Sequence, residues 1–134
     1  MTLDELNRLS KGTLMDLLNI EFTGFSDTIV EAEMKITPDL YQPMGIVHGG
    51  ALISLAETVG STGSYLLVDP EKFNTYGSAV NSQHLFPART GTLFAVARII
   101  LHNDRKHIWD VEIKDDAGNL VSISRVTNII RPRK

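Results

Sequence analysis

Hydrophobic residues recur along the chain with two different periods, and each period predicts a different kind of element. Leucines at helical spacing before and after Gly12 predict two short helices near the amino terminus. Between residues 30 and 36, apolar residues alternate with glutamate and lysine, which is typical of a half-buried strand. One long helix is predicted from about residue 50 to 68, and its apolar stripe consists of Leu52, Leu55, Ala56, Val59, Gly63 and Leu66.

The second half of the chain has the composition of strands. Residues 76–86, 93–101 and 120–130 are rich in β-branched and aromatic side chains, and apolar residues alternate with charged ones from Trp109 onward. The loops between them are short, and Gly118 supplies the positive φ that a hairpin turn needs. The order of helix, two strands, central helix and four strands predicts an α+β fold, in which an antiparallel sheet packs against one long helix.

Composition narrows the class of protein. The chain has 134 residues, 43% of them hydrophobic, with no cysteine and a net charge of −3, so we expect one domain over residues 1–134. The absence of cysteine excludes a thiol nucleophile, a disulfide and a thiolate metal site. Mild acidity argues against a nucleic-acid partner. No apolar run reaches the roughly 18 residues that span a membrane, and the acidic start is unlike a secretory signal, which indicates a cytoplasmic protein.

A glycine pair at the start of the long helix is the first candidate for chemistry. The segment from Gly45 to Ala51 contains His48 followed by Gly49 and Gly50 and leads directly into the helix. Glycines leave the first backbone N–H groups unshielded, and with the helix dipole these donors suit an anion or a polarised carbonyl. The alternative is a tight turn that merely allows the helix to contact the sheet.

The second candidate is Glu57, the one charged residue between Ala51 and Val68. It shares a helix face with Ile53, Gly60, Ser61 and Ser64, which is neither fully apolar nor charged. Two glycines in the helix each cost about 1 kcal/mol relative to alanine, so we expect a partner helix or a slender ligand to approach closely there. The alternative is an ordinary glutamate that faces solvent.

Helix geometry separates the two candidates. Eight residues from Gly49 to Glu57 correspond to about 12 Å of axial rise, which a glutamate side chain cannot span. If both groups act on one carbonyl, they must come from different copies of the chain. A two-fold pair of antiparallel helices would bring each helix start toward the Glu57 of the other copy. The motif therefore predicts a site shared at an oligomer interface.

The segment Gly45-Ile46-Val47-His48-Gly49-Gly50-Ala51, followed by Leu55-Ala56-Glu57-Thr58-Val59-Gly60-Ser61, resembles the signature of hotdog-fold acyl-CoA thioesterases. It is similar to the PaaI-like group, and in particular to the branch that acts on aromatic acyl-CoA, including dihydroxynaphthoyl-CoA in menaquinone synthesis and hydroxybenzoyl thioesters in siderophore synthesis. The resemblance implies a hotdog fold, in which a curved antiparallel sheet wraps a long central helix. It also implies hydrolysis of an acyl-CoA substrate without a cofactor, by a homodimer at least and in the form of a homotetramer.

The resemblance also implies roles for individual residues. Glu57 would attack the thioester carbonyl or activate a water, and the Gly49 N–H would polarise the carbonyl oxygen. Gln42 and His48 would orient the thioester, and Ser61 would place the water or the acyl group. The residues expected to bind the acyl-CoA substrate are Gly50, Ser61, Thr62, Gly77, His84, Arg89, Asn103, Arg105 and Lys106.

The remaining charged and histidine residues allow simpler interpretations. The spacing of the four histidines does not guarantee that they converge, so no metal site is expected. Arg105 and Lys106, with His102 and His107 nearby, form a basic patch in an acidic chain, and such donors suit the phosphates of CoA; the alternative is a solvated loop. The basic residues 131–134 are expected to be a frayed end, and the alternative is that they also contact the CoA phosphates.

Two other functions stay open on the sequence alone. A hotdog-fold dehydratase or hydratase would need a histidine paired with a carboxylate; His48 and Glu57 are far apart on one chain, although a dimer could bring them together. In a non-catalytic acyl-CoA-binding or regulatory module, the single charge of Glu57 on this helix would have no role.

Overall fold

The computed structural model describes all 134 residues, which form three helices, six strands and a short 3-10 turn. The helices are α1 (Leu3–Leu9), α2 (Leu14–Leu17) and α3 (Gly49–Leu67), and the 3-10 turn is Pro38–Leu40. The strands are β1 (Ile20–Phe25), β2 (Ile29–Lys35), β3 (Phe73–His84), β4 (Thr92–His102), β5 (Lys106–Lys114) and β6 (Leu120–Pro132). None of the three helices combines the length and the apolar character that a membrane-spanning helix needs.

The strands form one antiparallel sheet in the order β1-β2-β4-β5-β6-β3. Helix α3 lies across one face and contacts β2, β3, β4, β5 and β6. Strands β2 and β3 are consecutive but are connected through α3 instead of by a hairpin. Strand β3 therefore pairs with the last strand, β6, at the far edge of the sheet and not with β2. The predicted α+β hotdog architecture is confirmed.

The core lies between α3 and the sheet. Trp109, Val111 and Ile113 alternate along β5 and are at most 1% exposed, as the period of two predicts. On α3 the apolar stripe packs against them, and Leu55, Ala56 and Val59 are completely buried. The turn after β5 also follows the prediction, because Gly118 has a φ of 84°.

The two buried glycines of α3 correct one expectation. An added Cβ at Gly60 would lie 2.9 Å from the Val126 Cβ, and one at Gly63 would overlap the Trp109 indole ring. The close approach is therefore to the protein's own sheet and not to a partner helix or a ligand. Ser64 is also fully buried, so Gly60 and Ser64 do not share the exposed face of Glu57.

The two edges of the sheet differ. At β1, helices α1 and α2 cover the edge, and the Asn7 side chain bonds both the N–H and the carbonyl of Phe22, at 2.8 and 2.9 Å. At the other edge β3 pairs only with β6. None of its residues is buried, and Tyr76 is 51% exposed.

The carboxyl terminus is more ordered than predicted. Strand β6 continues to Pro132, and Arg131 pairs with Asn74 of β3. The Arg133 N–H then donates to the Lys72 carbonyl at 2.8 Å. The expectation of a frayed end from residue 131 is wrong, because the long edge strand β3 supplies backbone partners nearly to the last residue.

Candidate active site

The start of α3 leaves two hydrogen-bond donors free, one on His48 and one on Gly49. His48 is the N-cap, and its Nδ1 accepts the Gly50 N–H at 2.7 Å, so in the neutral ring the Nε2 carries the proton. Ala51 and Leu52 both donate to the His48 carbonyl. The Gly49 N–H is left without an acceptor in the chain, whereas the N–H of Gly50, predicted to bind substrate, is occupied by His48.

Gln42 adds a further donor group in the preceding loop. Its Oε1 accepts the Met44 N–H and its backbone N–H donates to the Ile46 carbonyl. Because the side-chain oxygen faces a donor, the Nε2 amino group points away and has no partner in the chain. The N-terminal end of α3 is therefore rich in free donors, which suits an oxygen that gains negative charge.

His84, at the end of β3, lies beside this helix start. An added Cβ at Gly49 would be 3.0 Å from the His84 Nε2. The His84 Nδ1 lies 3.0 Å from the Ser122 Oγ, whose own hydroxyl donates to the Gln83 carbonyl. Gly49 therefore allows the helix to approach the histidine closely, and the structure brings the predicted residues His48, Gly49 and His84 together.

Glu57 occupies a second position, two turns further along α3. Its side chain is exposed and makes no hydrogen bond or ion pair within the chain. An added Cβ at Gly77 of β3 would lie 2.9 Å from the Glu57 Oε1 and 3.7 Å from the Ser61 Oγ. The absence of a side chain at Gly77 thus leaves room for the carboxylate. A shallow surface depression contains Glu57, Ser61 and Thr62 together with Met15 and Tyr65.

The predicted CoA-binding residues form two further groups at opposite ends of α3. Arg89 lies near the helix start, because its carbonyl accepts the Tyr41 hydroxyl and the carbonyl of its neighbour Ala88 accepts the Val47 N–H.

The second group lies in the β4–β5 hairpin near the end of α3 and consists of Asn103, Arg105 and Lys106. Asn103 and its neighbours line a depression there with Leu67 and Val68. The Asn103 Oδ1 accepts the N–H groups of Arg105 and Lys106 at 2.9 and 3.0 Å.

His107 does not belong to the basic patch. It is 4% exposed, and burial, with a smaller contribution from the charge of His102, holds its pKa below the ordinary 6.5. Its Nδ1 lies 2.8 Å from the Ser64 Oγ. The expectation that His107 adds positive charge near Arg105 and Lys106 is therefore wrong. No three histidine, aspartate and glutamate side chains come together in an arrangement that could hold a metal ion.

Sequence reasoning missed one polar residue of this region, Asn128. It is fully buried on β6 and contacts Gly60, Ser61 and Ser64 of α3. The sequence pattern could have identified it, because Val126 and Ile130 belong to the alternate residues of β6 that point into the core, and Asn128 lies between them on the same face. A buried amide needs hydrogen-bond partners, so its position on that face indicates a specific role.

Comparison with known proteins agrees with this geometry. The family model of the thioesterase superfamily matches residues 44–122, which include the start of α3, Glu57 and Gly77. The chain is 35% identical over 130 residues to the 1,4-dihydroxy-2-naphthoyl-CoA hydrolase of Escherichia coli, covering 97% of this chain and 95% of that one.

Solved structures agree as well. A thioesterase of Pseudomonas aeruginosa superposes with a TM-score of 0.96 at 38% identity, covering 99% of this chain and 96% of that one. A thioesterase of Staphylococcus aureus has a TM-score of 0.88 at 36% identity, covering 90% of this chain and 99% of that one. The chain therefore belongs to the thioesterase superfamily and is a hotdog-fold enzyme of that superfamily.

Proposed function

We propose that this enzyme hydrolyses acyl-CoA thioesters with an aromatic acyl group to the free acid and CoA, with Glu57 as the catalytic carboxylate. The observation that carries the proposal is the Glu57 side chain itself. It is the one charge on an otherwise apolar and small-residue helix, it has no partner in the chain, and Gly77 leaves it open space. Such a free carboxylate is suited to accept a proton from water or to attack a carbonyl.

The start of α3 provides the complementary half of the chemistry. The free N–H of Gly49, with the Gln42 amino group and the His48 Nε2–H, would hold the thioester carbonyl and stabilise the oxyanion that forms when the carbonyl carbon is attacked. The carbon–sulfur bond then breaks, its electron pair leaves with sulfur, and the sulfur takes up a proton that comes from the water consumed in the hydrolysis, which gives the CoA thiol. No metal or redox cofactor takes part in the proposed reaction.

Two copies of the chain are needed to unite these groups. Gly49 and Glu57 are about 12 Å apart along the axis of one helix. The edge strand β3 has no strand beyond it and none of its residues is buried, which supports pairing with a second copy, because bare edges and exposed apolar residues are normally covered. An antiparallel pair of α3 helices would then bring Glu57 of one copy toward Gly49 of the other.

The same arrangement accounts for the divided CoA-binding residues. Arg105 and Lys106 lie near the end of α3, so in an antiparallel pair they approach the helix start of the partner copy, where the thioester would bind. Together with Arg89 and Asn103 they would hold the CoA phosphates. Exposed apolar residues on the outer face of the sheet, among them Phe94 and Ile123, support association of two dimers into a homotetramer.

Relatives support these assignments. The Staphylococcus aureus thioesterase was solved with a glutamine and a glutamate, fifteen positions apart, each replaced by alanine, and Gln42 and Glu57 have the same separation here. The name of the Escherichia coli relative, a dihydroxynaphthoyl-CoA hydrolase, supports an aromatic acyl group.

The test is release of free thiol from benzoyl-CoA, followed with a colorimetric thiol reagent. We expect Glu57→Ala to lower kcat by about 10² to 10⁴-fold, the range for a catalytic acid–base group. Glu5→Ala is the matched control, since Glu5 is an exposed glutamate on α1, which covers the opposite edge of the sheet, and it should retain wild-type activity. Equal background rates for the wild type and Glu57→Ala across aromatic, phenylacetyl and fatty acyl-CoA would reject the proposed function.

A further inference from the structure

A buried amide lies directly beneath the turn of α3 that follows Glu57. Asn128 of β6 is fully buried, and in the sheet it pairs with Gly77 of β3 on one side and with His107 of β5 on the other. Gly77 is the residue that leaves room for the Glu57 carboxylate. Asn128 is thus the next residue inward in the row of the sheet that borders the candidate catalytic group.

Hydrogen bonds fix the orientation of the Asn128 amide. Its Nδ2 donates to the Gly60 carbonyl at 3.1 Å and to the Ser64 Oγ at 2.8 Å. A carbonyl can only accept, so the nitrogen must face Gly60 and the oxygen must face the other way. Both amide hydrogens are therefore used, and the Oδ1 faces the Ser61 Oγ at 3.5 Å, where it can only accept the hydroxyl proton.

The Ser64 hydroxyl holds the amide in this orientation. Its oxygen accepts from Asn128 and from the Trp109 Nε1–H at 3.0 Å, which uses both lone pairs. Its own proton must then go to the Nδ1 of His107, 2.8 Å away. Every polar atom in the network has one role, so Asn128 has no alternative orientation of equal energy.

Ser61 differs from Ser54 and Thr58, two hydroxyl residues earlier in α3. The Ser54 hydroxyl donates to the Gly50 carbonyl at 2.8 Å and that of Thr58 to the Ser54 carbonyl at 2.6 Å, four residues earlier in each case. This is the usual bond of serine and threonine in a helix. Ser61 does not donate to the carbonyl of Glu57, four residues before it, and instead directs its proton to Asn128.

We propose that Asn128 is a positioning residue that turns Ser61 into a hydrogen-bond acceptor for the attacking water. With its proton directed at Asn128, the Ser61 oxygen presents lone pairs to the space it shares with Glu57 beside Gly77. A water there donates one hydrogen to Ser61 and the other to the Glu57 carboxylate, which leaves its lone pair free to attack the thioester carbon. The inference rests on the proposed function, with Glu57 acting on water.

The step balances without a further reactant. The water oxygen forms a bond to the thioester carbon, and Glu57 removes the water proton to which its carboxylate is hydrogen-bonded. The hydrogen that is donated to Ser61 remains on the oxygen and becomes part of the acid product. The carbon–sulfur electron pair leaves with sulfur, which receives the proton that Glu57 took from the water, so the carboxylate is regenerated. Without Asn128, the Ser61 proton would turn back to the Glu57 carbonyl, and the water would lose one of its two fixed acceptors.

A double-mutant cycle tests the proposal. Wild type, Ser61→Ala, Asn128→Ala and the double variant are compared for kcat and KM with benzoyl-CoA. We expect each single variant to lower kcat by roughly tenfold with little change in KM. The double variant should be no slower than Ser61→Ala, because the effects of two substitutions on kcat do not add when one residue acts through the other. If Asn128→Ala costs the same factor with and without the Ser61 hydroxyl, Asn128 is only structural and the proposal is wrong.

Two further variants keep the cycle decisive. If Asn128→Ala does not fold, Asn128→Val removes the same acceptor with a side chain that suits a strand. Ser54→Ala is the matched control and should have the same effect on kcat with and without Asn128.

A wild type that releases no CoA would reject the proposed function together with this inference, whereas an active wild type with an additive cycle rejects this inference alone.

Discussion

The protonation of a single buried histidine is decided by the residue next to it. The Ser64 oxygen already accepts two hydrogen bonds, so it must donate to the His107 Nδ1, and His107 is neutral with its proton on Nε2. A protonated ring would direct an N–H at an oxygen with no free lone pair. This contact agrees with the lowered pKa of His107, whose main cause is burial.

The lowered pKa predicts a loss of stability in mild acid. The folded state binds the proton of His107 less readily than the unfolded state, so its contribution to stability is fully present above the ordinary pKa of 6.5 and is lost progressively as the pH falls from that value toward the lowered pKa of the folded state. Urea unfolding between pH 7.5 and 5 should show a falling free energy of unfolding. His107→Gln should flatten this dependence, whereas His102→Gln, at an exposed site, should retain most of it.

Asp115 responds in a different range and does not confuse this measurement. The Asn119 side chain and neighbouring N–H groups lower the pKa of Asp115 by hydrogen bonding, so its contribution to stability is lost only as the pH falls below its ordinary value of 3.8.

The result that would contradict a buried neutral His107 is an unchanged free energy of unfolding from pH 7.5 to 5.

At the scale of elements, the contact between α3 and the sheet depends on two glycines. Gly63 lies against Trp109 so closely that any side chain would overlap the indole ring. Alanine favours a helix by about 1 kcal/mol over glycine, but overpacking a core costs about 1–3 kcal/mol, and here the neighbour is a large buried ring. The fit of helix to sheet therefore outweighs helix propensity.

We expect Gly63→Ala to lower the free energy of unfolding by about 1–3 kcal/mol, measured by urea denaturation. The matched background is Trp109→Leu, which removes the ring. In that background Gly63→Ala should have little cost, because the clash is with the indole and not with the backbone. An equal cost in both backgrounds would show that the helix itself, and not its contact with β5, requires glycine.

At the scale of the whole molecule, the proposed site belongs to two copies of the chain. Mixing Glu57→Ala chains with chains that carry Gln42→Ala and His48→Ala tests this directly. In a mixed dimer one site combines an intact helix start with an intact Glu57, so activity should return although each parent is inactive. Verified mixed dimers without activity would contradict a shared site, and mixing two batches of Glu57→Ala is the control.

The sequence by itself determined what depends on near neighbours. Alternation along β5 identified Trp109, Val111 and Ile113 as core residues, because side chains of a strand point to opposite faces in turn. The spacing of the apolar stripe located α3 and left Glu57 as its single charge. The helix start at Gly49 was also visible, since a histidine and two glycines before an apolar helix leave backbone donors free.

The tertiary structure decided which distant residues meet. Asn128 bonds Gly60 and Ser64 from 68 and 64 positions away, a distance in sequence that no local period encodes. Gly60 and Gly63 proved to fit the protein's own sheet, and Arg131 proved to belong to a strand. Periodicity shows which face of an element is buried, but sheet register and helix packing determine what that face contacts, and the hydrogen-bond network beneath Glu57 exists only once both are set.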